Sequence, residues 1–281
     1  VSQALPEILA EEFDRFRELF YRKTGIVFSE SKRYFVDRRL GERMEATGSV
    51  SFGAYMTLLR LRDPRAEELQ HLINSMTINE TYFYREAYQF RCLVDSILPE
   101  LTNKRRSDDQ LQIWSMPCAT GEEPYTVAIY LLEEWAAVDR WDVRLIATDI
   151  DTRVLDQARE GTYFARSVQH VPPRALSRYF SQVGTDRWQV IPDLRGSIEF
   201  RHANITNPSD MSGFRNIDVI FCRNLLIYFD DISRRQAVEF LFDALRPGGY
   251  ICLGHAESMS RISSLFAVKK FPDGIVYQKP L

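Results

Sequence analysis

The chain has 281 residues, with 36 Lys and Arg against 39 Asp and Glu, a formal net charge of −3. Hydrophobic residues make up 45% and charged residues 27%, ordinary globular composition with ample length for a buried core. A balance this near neutrality argues against a surface built to track nucleic acid, and the scattered placement of 4 Cys and 4 His argues against a metal site or a disulfide framework.

No apolar run reaches the ~20 residues that span a bilayer. The N-terminus lacks the basic-then-apolar order of a signal peptide. The chain therefore reads as cytoplasmic, without direct membrane insertion. Residues 1 to 95 read as a helical N-terminal domain and linker. Ile8, Leu9, Phe13, Phe16, Leu19 and Phe20 recur at helical spacing, and Gly25 follows a basic last turn, as a helix C-terminus should. A second helix is predicted from Ser31 to Thr47, and a third with Ser51 as its N-cap. Asp63-Pro64 reads as a cap and first-turn proline opening a fourth.

The texture changes after the polar stretch Asn103 to Asp109, and residues 96 to 281 read as an α/β domain. Strands are predicted at Leu111–Met116, Val143–Thr148, Ser197–His202, Ile217–Cys222 and Tyr250–Gly254. Helices are predicted from Glu122 to Ala137, from Thr152 to Glu160, and from a Ser233-x-x-Gln236 capping box to Leu245. Strand–helix alternation implies a doubly wound parallel sheet. Phe266–Phe271 and Ile275–Lys279, split by Pro272-Asp273-Gly274, read as a terminal hairpin. Residues 161 to about 200 interrupt the rhythm and read as a small inserted β-subdomain.

Open parallel sheets bind ligands at the carboxyl ends of their strands. The first strand runs into Thr120-Gly121-Glu122-Glu123-Pro124, with one glycine and two carboxylates where a dinucleotide site would need G-x-G-x-x-G. Anion repulsion disfavours NAD, FAD and ATP there, whereas a cation such as the sulfonium of S-adenosylmethionine suits it. The same carboxylates could instead serve only the helix dipole. The second strand ends in Thr148-Asp149-Ile150-Asp151: Asp149 is the ribose candidate and Asp151 the helix cap. The fourth exit, Cys222-Arg223-Asn224 to Tyr228, lacks both prolines of the Asn/Asp-Pro-Pro-Tyr turn common in amine methylation. Its Arg and Tyr are donors suited to an anionic acceptor, or else a surface ion-pair residue and a core aromatic.

Taken in order, Asn79-Glu80-Thr81-x-Phe83-x-Arg85-Glu86, Thr120-Gly121-Glu122-Glu123-Pro124-Tyr125, Thr148-Asp149-Ile150-Asp151, Phe221-Cys222-Arg223-Asn224 with Ile227-Tyr228-Phe229-Asp230, and Gly254-His255-x-Glu257 resemble the CheR-type chemotaxis receptor methyltransferases over nearly the whole chain. The resemblance implies a class I S-adenosylmethionine-dependent methyltransferase fold, with a helical N-terminal domain and a small inserted β-subdomain. It implies methylation of glutamates on cytoplasmic chemoreceptor helices, with S-adenosylhomocysteine as product. Cofactor contacts are implied for Asn79, Thr81, Arg85, Glu123, Asp149, Asn204, Ile205, Arg223 and Asn224, with Arg85 and Tyr228 beside the transferred methyl. Met116-Pro117-Cys118 departs from the small-residue run usual in the first turn.

A glutamate carboxylate, with a reference pKa of about 4.3, is already nucleophilic at neutral pH, so no general base and no metal is expected. From Ser31 to Arg43 on the second helix, Lys32, Arg33, Arg38, Arg39 and Arg43 outnumber Asp37 and Glu42, a net of +3. Such a run is commonly a solvated face; beside the resemblance it becomes the expected dock for acidic methylation helices. The segment between Phe180 and Phe200 is shorter than in members that hold a receptor C-terminal tail peptide, which argues against tail binding. The chain is expected to act as a monomer. The alternatives are methylation of another protein or a small carboxylate, and a non-enzymatic signalling adaptor with a relic cofactor fold.

Overall fold

A computed structural model describes residues 8–103, 105–106 and 109–281. Part of the polar stretch at 103–109 thus lies outside the described residues. Four helices come first: α1 (Ala10–Thr24), α2 (Arg33–Ala46), α3 (Phe52–Leu61) and α4 (Glu67–Met76). Phe13, Phe16, Phe20, Val36, Leu40, Tyr55 and Leu72 make their separate core. Gly25 ends α1 at φ 72°, and the Ser51 hydroxyl accepts the Ala54 N–H at the start of α3, both as expected. The Asp63-Pro64 expectation is corrected by three residues. Ala66 caps α4, while the Asp63 carboxylate reaches forward to the Leu69 N–H, 2.9 Å away.

A second helical run follows, α5 (Ala87–Cys92) and α6 (Leu98–Thr102), joined by a π-helical turn at Leu93–Ile97. It passes position 95 unbroken because Phe90, Leu93, Val94 and Ile97 pack into the core of the sheet, not that of the first four helices. Then come β1 (Leu111–Ser115), α7 (Glu122–Glu134), β2 (Val143–Asp149), α8 (Thr152–Glu160), β3 (Thr162–Phe164), α9 (Ala165–Val168), α10 (Pro173–Tyr179), β4 (Phe180–Val183), β5 (Arg187–Val190), α11 (Pro192–Gly196), β6 (Ile198–His202), α12 (Pro208–Met211), β7 (Ile217–Cys222), α13 (Asp231–Ala244), β8 (Leu245–Leu253), β9 (Ala267–Phe271) and β10 (Gly274–Gln278).

The main sheet has the order β6-β2-β1-β7-β8-β10-β9. Its first five strands are parallel, and β10 and β9 add an antiparallel edge, so the sheet is mixed. Alternate strand residues feed opposite faces. Ile113, Val219 and Phe221 join the core under α5 and α7, while Trp114, Ile220 and Cys222 join the one under α12 and α13. A separate antiparallel sheet, β3-β5-β4, forms the small inserted β-element.

Two boundaries differ from expectation. Asp230, not Ser233, caps α13: its carboxylate accepts the Ser233 N–H, which places Ser233 inside the first turn. Arg246-Pro247-Gly248-Gly249 does not precede the strand but bulges within β8, between the pairs Ile217–Leu245 and Val219–Tyr250. A Cβ on Gly249 would lie 3.0–3.1 Å from three backbone oxygens, those of Arg246, Ile217 and Asp218. Only glycine fits that approach.

Candidate active site

Strand order reverses at β1, flanked by β2 and β7, and a cleft of about 220 Å³ opens beyond their carboxyl ends. Its walls include Asn79, Thr81, Arg85, Glu123, Asp149, Arg223, Asn224 and Tyr228, side by side with Ile78, Pro117 and Ile227. Eight of the sequence-predicted residues therefore meet in one place.

The floor comes from strand ends. Asp149, the last residue of β2, is buried. Its carboxylate accepts the Ala119 N–H at 2.8 Å and the Asp151 N–H at 2.9 Å, and burial pushes its pKa up to about 6. Gly121 caps α7 at φ 95°, where a Cβ would lie 2.9 Å from the Ala158 Cβ and 3.1 Å from the Tyr163 hydroxyl. This glycine thus serves helix packing, with no glycine-rich cradle for a diphosphate. Asp151 caps α8 through the Arg153 and Val154 N–H groups, as expected.

The same Asp151 also holds the roof. Its Oδ2 accepts from the Thr77 hydroxyl at 2.7 Å and from Asn79 Nδ2 at 2.9 Å. Residues 77–86 cross the cleft as a strap, pinned again where the Phe83 N–H meets the Ser167 carbonyl and the Tyr84 N–H meets Thr126 Oγ1. Buried Glu122 supports this end, accepting from the Thr120 and Ser167 hydroxyls at 2.6 and 2.7 Å. Burial raises its pKa, with those hydroxyls opposing.

The third wall corrects one expectation. Arg223 is not a free donor for an acceptor but a buried ion-pair residue. One guanidinium nitrogen meets Glu123 at 2.8 Å, and the other meets Glu86 at 3.2 Å and the Arg85 carbonyl at 2.7 Å. Glu123 in turn accepts the Ser115 hydroxyl at 2.7 Å. Glu257 orders the adjoining turn by accepting the N–H groups of Asn224, Leu226 and Gly254 at 2.8, 2.8 and 2.9 Å. Donors facing the cleft include Arg85, which spends one N–H on the Glu80 carbonyl, the half-buried Tyr228 hydroxyl, which has no hydrogen-bond partner among the described residues, and the side chains of Thr81, Tyr82 and Asn224.

Asn204 and Ile205 do not line this cleft. They border a smaller adjoining cavity of about 40 Å³, reached past Pro117 and Asp149. Asn204 is spent locally: its side chain donates to the Lys23 carbonyl and accepts from Thr206, its N–H donates to Asp210 and its carbonyl accepts from Asn207. Nor do Lys32, just ahead of α2, and the four arginines of α2 form one outward face. Arg43 turns inward onto Glu68, at 3.0 and 2.5 Å, and Arg33 reaches the Ile8 carbonyl and Asp37. Arg38 and Arg39 share Glu42, and Lys32 is exposed.

The residues fit a nucleoside with a cationic tail. A carboxylate acceptor sits at the second strand end, and the buried group of Glu86, Glu123 and Arg223 holds two carboxylates against one guanidinium. Glu86 and the tethering role of Asp151 lay within the recognised motifs, but nothing local in the sequence indicated their partners. No grouping of His, Cys, Asp and Glu able to hold a metal occurs among the described residues.

The family model described as CheR methyltransferase, all-alpha domain, matches residues 11–77, and that described as CheR methyltransferase, SAM binding domain, matches residues 79–275. Chemotaxis protein methyltransferase 2 of Vibrio cholerae is 49% identical over 269 residues, covering 96% of this chain and 93% of that one. Chemotaxis protein methyltransferase 2 of Pseudomonas aeruginosa is 38% identical, with 91% and 89% covered. The chemotaxis protein methyltransferase of Escherichia coli is 34% identical, with 92% and 87% covered. With both family models matched across a sheet whose switch-point cleft suits a cationic nucleoside, the chain belongs to the CheR methyltransferase family and is an S-adenosylmethionine-dependent methyltransferase of chemotaxis.

Proposed function

We propose that the chain transfers a methyl group to glutamate side chains on the cytoplasmic helices of chemoreceptors, forming glutamate 5-O-methyl esters. The observation that carries this reading is that a cation and a phenol, Arg85 and Tyr228, face one cleft that has no histidine among its described lining residues. An amine acceptor would need a base to take its proton, and of the lining carboxylates Asp149 and Glu123 are committed to backbone N–H groups and to Arg223. A carboxylate arrives without a proton to lose and needs only desolvation and alignment.

When bound, S-adenosylmethionine supplies an electrophilic methyl on a sulfonium, and the carbon–sulfur electron pair leaves with the neutral thioether. Asn79, Thr81, Glu123, Asp149 and Asn224 hold the cofactor, and the Asn204-Ile205 segment borders the adjoining cavity, toward its base. The Tyr228 hydroxyl donates to the acceptor oxygen that does not attack, and Arg85 draws the carboxylate in without a close, rigid pair. Such a pair would stabilise the ground-state anion and slow transfer. Burial raises the Tyr228 pKa, with Arg85 opposing, so the phenol keeps its proton to donate.

The dock is the outward part of α2, Lys32, Arg38 and Arg39, with Arg33 and Arg43 supporting it from inside. Because receptor methylation helices lie in the cytoplasm, that is where the enzyme works, as a monomer and without a tail peptide. Labelled-methyl transfer to receptor cytoplasmic fragments tests the assignment. Arg85→Ala and Tyr228→Phe are each expected to lower turnover by about tenfold or more, the range of a lost positioned donor. Near-parental turnover in both variants refutes it.

A further inference from the structure

The charge arrangement behind the cleft gives Glu86 a part that none of the motif assignments contains. Arg223 is the hub. Its side chain is 3% exposed, and its two terminal nitrogens divide between Glu123, on the cleft side, and Glu86, behind it. The far oxygen of Glu86 meets Nδ1 of His255 at 2.9 Å, and that imidazole is 69% exposed at the surface. Gln89 Nε2 also donates to Glu86 at 2.8 Å. The result is a line running from solvent to cleft, His255, Glu86, Arg223, Glu123, with the buried Ser115 hydroxyl donating to Glu123 from the strand behind.

Charge counting shows what Glu86 changes. With Glu123 alone, Arg223 would make a neutral pair, and an incoming sulfonium would lose its hydration against an uncharged wall. With Glu86 as the second partner and Glu123 ionised, the group carries one net negative charge beside the ligand; burial raises the Glu123 pKa, and the Arg223 guanidinium and Ser115 hydroxyl oppose it. Burial by itself would raise the Glu86 pKa, but the Arg223 guanidinium and the His255 contact bring it below the ordinary carboxylate value, so Glu86 is anionic at neutral pH. Its backbone is committed as well. Glu86 sits at φ 57° at the start of α5, directly after Arg85.

We propose that Glu86 is a positioning residue for cofactor charge: it holds the far face of Arg223, so that Glu123 is not fully neutralised and the wall retains the negative charge that favours the sulfonium over the neutral thioether. The inference rests on the cleft being the cofactor's seat, and does not depend on which acceptor is methylated.

The test is calorimetric, on the whole chain, with S-adenosylmethionine and S-adenosylhomocysteine as separate ligands. They share ribose, base and amino-acid tail and differ by one positive charge at sulfur. Glu86→Gln keeps the shape and the left-handed backbone while removing the charge. It is expected to shift the ratio of the two dissociation constants against adenosylmethionine by about fivefold, the order expected for one charge acting through a partly buried wall. His255→Lys places a permanent cation on the exposed end of the same line. That variant perturbs folding least, and its expected shift is about twofold in the same direction. Glu86→Asp, which keeps the charge, restores the ratio. Glu123→Gln provides the reference for the seat, since unchanged binding of both ligands there refutes the cleft as the cofactor site. With that reference responding, an unchanged ratio in Glu86→Gln and His255→Lys, or an equal loss of both ligands, overturns the positioning role.

Discussion

Arg43 is where a docking residue and a structural residue predict opposite experiments. Two of its guanidinium nitrogens meet Glu68 at 3.0 and 2.5 Å, and the Tyr55 hydroxyl donates to the same carboxylate at 2.6 Å. Glu68 is only 9% exposed and Tyr55 is fully buried. Arg43→Ala therefore leaves a buried carboxylate with one neutral donor. Breaking a fully buried pair costs about 3–5 kcal/mol. The Arg43 side chain is 22% exposed, so water relieves part of that and about 2–3 kcal/mol is expected. For a chain of this length the corresponding fall in Tm is roughly 3–5 °C. Arg38→Ala, at an exposed residue that shares Glu42 with Arg39, should change stability by no more than about 0.5 kcal/mol. Adding Glu68→Gln to Arg43→Ala should recover part of the loss, because the orphaned charge disappears. Thermal unfolding and receptor methylation are measured on the same preparations. If Arg43→Ala melts with the parent protein yet loses receptor methylation, the inward ion pair is not what holds Arg43, and the reasoning fails.

The Asp149 carboxyl, pushed up to about 6 by burial, makes adenosylmethionine affinity decline as the pH falls through that value, since a protonated oxygen no longer accepts from a ribose hydroxyl. Linkage gives the opposite sign for the unliganded fold. A carboxyl whose folded pKa lies above its unfolded value contributes stability at low pH that is lost as the pH rises through about 6. Calorimetry across this range, with Asp149→Asn abolishing the inflection, checks both; a flat affinity profile in the parent refutes the assignment. Asp151→Ala removes the cap of α8 and the anchor of Thr77 and Asn79 together, for about 2–3 kcal/mol of stability, of which the cap accounts for about 1. Cofactor affinity should fall by about tenfold with it, because the strap carries Asn79 and Thr81. Intact affinity in a destabilised protein would show that the strap does not depend on this anchor.

Much of the scaffold was legible because it is written in local chemistry. Gly25 and Ser51 end and begin helices through their own backbone freedom and hydroxyl, whatever the rest of the chain does. Where a cap depended on which of several neighbouring polar residues the chain would choose, the reading slipped by three residues, at Ser233 for Asp230 and at Asp63 for Ala66. Asp149 and Asp151 could be assigned separate roles because one ends a strand and the other precedes a helix. The second role of Asp151, tying down the strap, joins it to residues more than seventy positions away and leaves no local trace.

The sequence by itself determined the periodicities, the acidic strand ends and the motifs, hence the fold class, the cofactor and the family. Each of these is a property of neighbouring residues or of their order. Tertiary structure alone decided where the charges point. Between Ser31 and Arg43 five basic residues count as +3 with Asp37 and Glu42 in a linear sum, yet Arg43 spends its charge on Glu68, and Arg33 spends its own on Asp37 and a carbonyl. Arg223 looked like a donor for an acceptor and is instead enclosed between Glu123 and Glu86. A side chain's charge is known from its letter. Its partner is set by which elements pack together, and for a desolvated ion the partner decides what the charge is free to do.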